Sequence, residues 1–411
     1  MIELEAAWDL LQAQSFPNRT ESVGCMGAVG RRLAEDIAAD LDSPPFRKSL
    51  MDGFAVRASD VKPGVSLQIS GTSFAGASDQ TKLAAGSTVR IMTGAPIPEG
   101  ADAVVMIEQC SVPNESESEL VSFSIDLVLP GTHVMNRGQA MRAGQLVFEK
   151  GRVIRSCDVG LLAETGHSKV SVYCRPSVTV LATGDELVPC DQIPSGDKIR
   201  NSNGPMLTAL ARDYSDRVES PGIAPDHRDG LREMVRKGME SDVLVLSGGV
   251  SAGLADLVPG VLKELGVRQV FHKVALKPGK PVWYGVLERD GNVAHVFGLP
   301  GNPVSSLVCF QLFVRPCLER LSWHDGTVRP TTSSGILSGE HVTRGGRPTW
   351  WPVRQSICKT SGVAKLEPLV WHGSSDLRCL ADANALAFFE PNDKPWPSGS
   401  VIPWMPLPEK P

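Results

Sequence analysis

The feature that most constrains this 411-residue chain is an alternation of strand, Gly-rich loop and helix running through 177–321. Short apolar-rich runs at 178–182, 243–246 and 293–297 interleave with helical spacing at 205–213, 231–239, 256–265 and 304–321. Alternation of this kind favours a mostly parallel sheet covered by helices on both faces. The expectation is an α/β subdomain at 177–322 built on a mostly parallel sheet.

The flanks read differently, as a chain too long for one core requires. Leu4, Trp8 and Leu11, then Val29, Leu33 and Ile37, recur at helical spacing before Pro44 and Pro45, and 156–165 is helical again. This predicts a small helical subdomain from 1–45 plus 145–176. Between these pieces, β-type runs at 65–69, 88–92 and 103–107, punctuated by Gly and Pro, predict an inserted β-rich subdomain at 46–144, with 114–119 as an exposed hairpin loop. After Trp323 the helical periodicity stops, and short runs such as 370–371 and 385–389 predict a C-terminal β-barrel at 323–411.

Several function classes lose support from composition. A net charge of −5 is no footprint for nucleic acid. The acids Glu3, Glu5 and Asp9 disagree with a signal peptide, and the apolar stretch at 304–314 is broken by Ser305, Ser306 and Gln311, well short of the roughly 20 residues a bilayer needs. No membrane association is expected. Nine cysteines without a Cys-x-x-Cys pair read as reduced thiols of a cytoplasmic protein. Zinc-hydrolase His spacings, a Gly-x-Ser-x-Gly elbow, a Walker A loop and the dinucleotide Gly-x-Gly-x-x-Gly pattern are all missing.

In an open α/β sheet, ligands collect beyond the carboxyl ends of the strands. Three loops sit at such ends: Thr183-Gly184-Asp185-Glu186-Leu187, Ser247-Gly248-Gly249-Val250-Ser251-Ala252-Gly253, and Gly298-Leu299-Pro300-Gly301-Asn302-Pro303-Val304-Ser305-Ser306. Glycines let backbone approach a phosphate and serines add hydroxyl donors, although a single loop of this kind also makes a tight turn with no ligand. Asp185, Glu186 and Asp256 at the same edge suit phosphate only with a hard cation such as Mg2+ between them; for Asp185 and Asp256, helix capping is the simpler alternative. Lys273, Lys277 and Lys280 cluster where Pro278 and Pro281 stiffen the chain, which suits an oxyanion, while any one of them alone reads as a solvated charge.

Six motifs then occur together: Ser49-Leu50-Met51-Asp52-Gly53-Phe54-Ala55-Val56, Ile91-Met92-Thr93-Gly94-Ala95-Pro96-Ile97-Pro98-Glu99-Gly100-Ala101-Asp102-Ala103-Val104, Thr183-Gly184-Asp185-Glu186-Leu187, Ser247-Gly248-Gly249-Val250-Ser251-Ala252-Gly253, Lys277-Pro278-Gly279-Lys280-Pro281 and Gly298-Leu299-Pro300-Gly301-Asn302-Pro303-Val304-Ser305. In this order they resemble the molybdopterin molybdenumtransferase family, which includes the E domain of gephyrin. The resemblance implies a homodimer that inserts molybdenum from molybdate into adenylylated molybdopterin, with Mg2+-dependent release of AMP. It places a pterin adenylyltransferase upstream and molybdoenzymes or their chaperones downstream. Carried onto this chain, it implies Glu186, Asp256, Lys277 and Lys280 as catalytic residues, with Glu186 and Asp256 holding the metal. It further implies Asp52, Thr93, Asp226, Ser247, Gly248, Gly249, Ser251, Lys273, Pro300, Gly301, Asn302, Ser305 and Ser374 as substrate-binding positions, Asp52 and Thr93 reaching a partner's substrate. Two departures stand out: Ala140 replaces a usual acid, and Pro352 replaces a usual arginine, with Arg354 two residues on. A molybdopterin adenylyltransferase and a non-catalytic dimeric scaffold are the alternatives, the first disfavoured by the large flanking units.

Overall fold

The computed structural model describes residues 1–17, 19–76, 82–112, 119–249, 257–289, 291–323, 327–343 and 345–407. These divide into two compact units, 1–21 with 173–411 and 22–172.

The larger unit is organised by a six-stranded sheet. Its strands in chain order are β1 (Val178–Thr183), β2 (Val218–Ala224), β3 (Val243–Ser247), β4 (Arg268–His272), β5 (Trp283–Arg289) and β6 (Asn292–Leu299). They lie side by side as β2-β1-β3-β6-β5-β4. The first four in that order are parallel, and β5 and β4 add on antiparallel. Alternation sends Val178, Val180, Val243, Val245 and Phe297 to one face and Leu181, Leu244, Leu246 and Val296 to the other. The first face is covered by α1 (Leu4–Gln12), α2 (Asn203–Ala211), α5 (Pro303–Cys309) and α6 (Arg315–Ser322). The second is covered by α3 (Arg228–Gly238) and α4 (Val258–Glu264). Each Val or Leu fully buried this way contributes about 1.5–3 kcal/mol.

The helix expected over 304–321 is interrupted by a π turn, Phe310–Val314. Pro316 carries no N–H for the carbonyl of Leu312, four residues earlier in the chain. The indole Nε1 of Trp8 donates to that carbonyl instead, at 2.9 Å. Leu4, Ala7, Trp8 and Leu11 are thereby buried in the same core as the sheet.

A closed barrel follows, β7 (Ser333–Leu337), β8 (Thr349–Ile357), β9 (Ala364–Pro368), β10 (Ala385–Phe389) and β11 (Val401–Pro406), in the order β7-β9-β8-β10-β11. Leu337, Val353, Leu366, Phe389 and Ile402 fill it, while Trp350, Leu386 and Met405 pack into the α/β core. The run at 370–371 is not a strand, because β9 ends at Pro368.

The smaller unit centres on a six-stranded sheet ordered Ala103–Met106, Gly53–Val56, Ser87–Ile91, Ser66–Ser73, Leu120–Phe123 and Cys110–Ser111. The expected hairpin loop at 114–119 lies outside the described residues except for Glu119. A helix forms at Asp158–Glu164, but none spans Val29 to Ile37. Gly30 takes a positive φ of 75°, Leu33 bridges to Val172, and Ile37 pairs with Phe148, so the apolar spacing there serves short β contacts. Among the described residues, no helix is long and apolar enough to cross a membrane.

Two stability predictions follow from buried polar groups. His295 is fully buried, with Nδ1 2.8 Å from the Tyr284 hydroxyl, and burial lowers its pKa from 6.5 to about 4. The unfolded chain therefore takes up this proton first as pH falls, and folding stability declines from about pH 6.5 towards pH 4, by on the order of 3 kcal/mol from this group. Urea unfolding across that range will show the fall, and His295→Gln will make it shallower. Trp8→Phe removes the indole donor to the Leu312 carbonyl and is expected to cost about 1–3 kcal/mol in the same assay.

Candidate functional site

Parallel register decides which loops meet. Thr183 pairs with Ala224, Ala182 with Ser247, and Ser247 with Leu299, so the carboxyl ends of β2, β1, β3 and β6 line one edge of the sheet. Beyond them come Asp226, then Asp185 and Glu186, then Gly248 and Gly249, then Pro300, Gly301 and Asn302. Antiparallel β5 begins with Trp283 opposite Gly298, and β4 ends with His272 opposite Trp283. The segment between them, carrying Lys273, Lys277 and Lys280, therefore springs from the same edge.

The glycine turn after β3 is sterically specified. Gly248 has φ +97°, and a Cβ there would sit 2.6 Å from the Thr183 carbonyl oxygen. Its N–H donates to the Leu299 carbonyl at 3.1 Å, tying the β3 and β6 loops together. Ser247 and Ser305 are buried, whereas Gly301 and Asn302 are exposed. Ser251 and Asp256 lie outside the described residues.

The lysine segment is held from two sides. Within it, Val274 N–H donates to Lys280 O at 3.0 Å and Lys273 N–H to Val282 O at 2.9 Å. Across to the barrel, Lys277 N–H donates to Pro348 O and Trp350 N–H to Lys277 O, both at 2.8 Å. Arg347 Nη1 donates to the Leu276 carbonyl at 2.9 Å, which puts a guanidinium one residue from Lys277. Arg354, the arginine closest in sequence to Pro352, instead faces Glu367 and Asp382 at 3.8 and 4.0 Å. The turn needs Gly279, whose φ is +116° and whose added Cβ would meet Cys309 Sγ at 2.5 Å.

The barrel also reaches the β6 loop. Asn302 Nδ2 donates to Ser374 Oγ at 2.8 Å, Ser375 Oγ donates to Asn302 Oδ1 at 3.0 Å, and Val304 N–H donates to Ser374 O at 3.0 Å. The Asn302 amide is thus engaged by the barrel turn at both its oxygen and its nitrogen. In the smaller unit, Asp52 Oδ1 accepts from the N–H and the hydroxyl of Thr93, at 2.6 and 2.7 Å, and these bonds hold its carboxyl below the usual range.

One residue at the sheet edge escaped the sequence reading. Asn203, at the start of α2, donates through Nδ2 to Ser247 Oγ at 2.8 Å and to Gly301 O at 2.6 Å. Its partners lie 44 and 98 residues away, so no local motif announces it. Near it, Asn201, Pro205, Thr208, Arg212 and Gly222 line a cleft of about 640 Å³.

The acidic residues form a loose group. Asp185 N–H donates to Asp226 Oδ2 at 3.3 Å and Asp226 N–H to Asp185 Oδ1 at 3.0 Å, and both residues, like Glu186, are exposed. Among the described residues no three metal-ligating side chains converge. Hard carboxylate oxygens at a phosphate-suited edge fit magnesium, which keeps most of its ligands as water and phosphate, and do not form an all-protein cage.

Comparison with known proteins agrees with this architecture. Residues 2–166 match the MoeA N-terminal region (domain I and II), and residues 179–320 match a probable molybdopterin binding domain. A molybdopterin molybdenumtransferase of Haemophilus influenzae is 37% identical over 336 residues, covering 81% of each chain. One of Staphylococcus epidermidis is 32% identical over 414 residues, covering 98% of this chain and 94% of the relative. The crystal structure of a molybdopterin biosynthesis MoeA protein from Pyrococcus horikosii superposes with a TM-score of 0.81 at 30% identity over 99% of both chains. With that identity sustained over nearly its whole length, the chain belongs to the molybdopterin molybdenumtransferase family.

Proposed function

We propose that this chain is a transferase that converts adenylylated molybdopterin and molybdate into molybdenum cofactor and AMP. The observation that carries the reading is the meeting, at one sheet edge, of the Ser247-Gly248-Gly249 turn, the Pro300–Ser305 loop and the Lys277–Lys280 turn. A glycine turn without Cβ atoms lets a phosphate lie against backbone, and Ser247 and Ser305 supply hydroxyls beside it. Lys277 and Lys280, on a turn anchored by backbone hydrogen bonds, hold positive charge where the oxyanion binds and where the leaving phosphate gains charge. Lys273 and Ser374 extend the same surface from the segment's base and from the barrel. Magnesium, with Glu186, Asp226 and Asp256 as the residues that would hold it, would supply further charge neutralisation to the phosphate. No protein nucleophile is needed, because positioning and electrostatics suffice for this chemistry. The same proposal includes a homodimer in which Asp52 and Thr93 serve the substrate of a second copy. It also includes a cytoplasmic setting, an upstream pterin adenylyltransferase, and downstream molybdoenzymes or their chaperones.

The test is AMP release from adenylylated molybdopterin by the purified protein, with and without molybdate. Release is expected to depend on molybdate and to fall at least about tenfold in Lys277→Ala and in Lys280→Ala, equivalent to about 1.4 kcal/mol. Release indifferent to molybdate, or synthesis of adenylylated pterin from pterin and ATP, would sink the reading. Gly279→Ala, forced into a left-handed conformation against Cys309, is expected to lose about 1–3 kcal/mol of stability in denaturant and to reduce AMP release as well.

A further inference from the structure

Asn203 is 8% exposed and sits at the first position of α2, yet its side chain does nothing for the helix. The nearby helical N–H of Gly204 is taken by Asn201 Oδ1 at 2.8 Å. Both contacts of the Asn203 amide run instead to the two loops of the proposed site. The Gly301 carbonyl can only accept, so the atom 2.6 Å from it must be the nitrogen, and this fixes the orientation of the amide. That same nitrogen lies 2.8 Å from Ser247 Oγ, which is therefore an acceptor towards Asn203. The remaining oxygen, Asn203 Oδ1, is buried with no donor.

We propose that Asn203 is a positioning residue for the transfer reaction: held in place by its bond to the Gly301 carbonyl, it donates to Ser247 Oγ and so leaves the Ser247 hydroxyl proton for an oxyanion of the substrate. This rests on the reading of Ser247 as a substrate contact. The shared chemistry is a tetrahedral oxyanion, and two sources exist, the phosphate of the nucleotide and molybdate. An alanine keeps the helix but removes the orienting donor. An aspartate keeps the shape and reverses the polarity: its carboxylate claims the Ser247 proton and repels the Gly301 carbonyl.

The test is calorimetric binding of AMP, of molybdate and of adenosine to the full-length protein, with thermal unfolding as a check on folding. Asn203→Asp is expected to weaken AMP or molybdate at least tenfold, the affected ligand identifying the source, while adenosine, which lacks the oxyanion, binds as it does to the unsubstituted protein. Ser247→Ala is expected to weaken the same ligand. Asn203→Ala is expected to cost several-fold on its own and less than twofold when added to Ser247→Ala, because it acts through that hydroxyl. Should Asn203→Asp fail to fold, the alanine cycle decides the matter. Equal losses from Asn203→Ala in both backgrounds, or a parallel loss of adenosine binding, would overturn the inference by showing a merely structural role. An unsubstituted protein that binds neither AMP nor molybdate, or a Ser247→Ala variant that binds both normally, would overturn the reading of the site itself.

Discussion

The larger unit depends on one constraint, the burial of β1, β3 and β6 between two layers of helices. Strands covered on both faces are joined by crossovers that return the chain to the same starting edge, so every forward strand ends on the opposite side. Loops far apart in sequence become neighbours there through register alone: Thr183 faces Ala224, and Ser247 faces Leu299. Residues of the proposed site that are far apart in sequence are brought to one edge in this way. Their placement is a by-product of how an apolar sheet escapes water.

The same accounting explains the chain's opening helix. A proline inside the long C-terminal helical stretch withholds an N–H from the Leu312 carbonyl, and a buried carbonyl without a donor is costly. Trp8 satisfies it from more than three hundred residues away and carries the apolar face of α1 into the core with it. The first helix is thus an integral part of the α/β layer, fastened by Trp8 within the apolar contact and by Gln12 and Asp9, which accept from the Val328 N–H and the Arg329 guanidinium.

How much of this was legible beforehand follows from the range of each signal. The alternation of strand, Gly-rich loop and helix revealed β1, β3 and β6, even though Thr179 and His295 interrupt two of the apolar runs. The edge strand β2 was hidden by Glu219, Ser220, Pro221 and Gly222, residues an edge tolerates and a central strand does not. Val29, Leu33 and Ile37 share a helical spacing, but Gly30 and the pairing partners of Leu33 and Ile37 draw them into extended structure instead. At the site, the glycine turns and the lysine segment were visible as local patterns. Asn203 was not, because a lone asparagine at a helix start signals only a cap, and its partners are distant in sequence. Arg347 was missed for the same reason, since only the docking of the barrel against Leu276 reveals it.

Both backbone polar groups of Lys277 are paired with residues flanking the start of β8, one with Pro348 and one with Trp350. The barrel is therefore a splint for the lysine turn. An α/β layer standing alone would keep the backbone bonds of Lys273 and Lys280 and lose those of Lys277. The C-terminal barrel thereby sets the backbone from which the Lys277 side chain departs, and a displacement of the start of β8 would carry that residue with it.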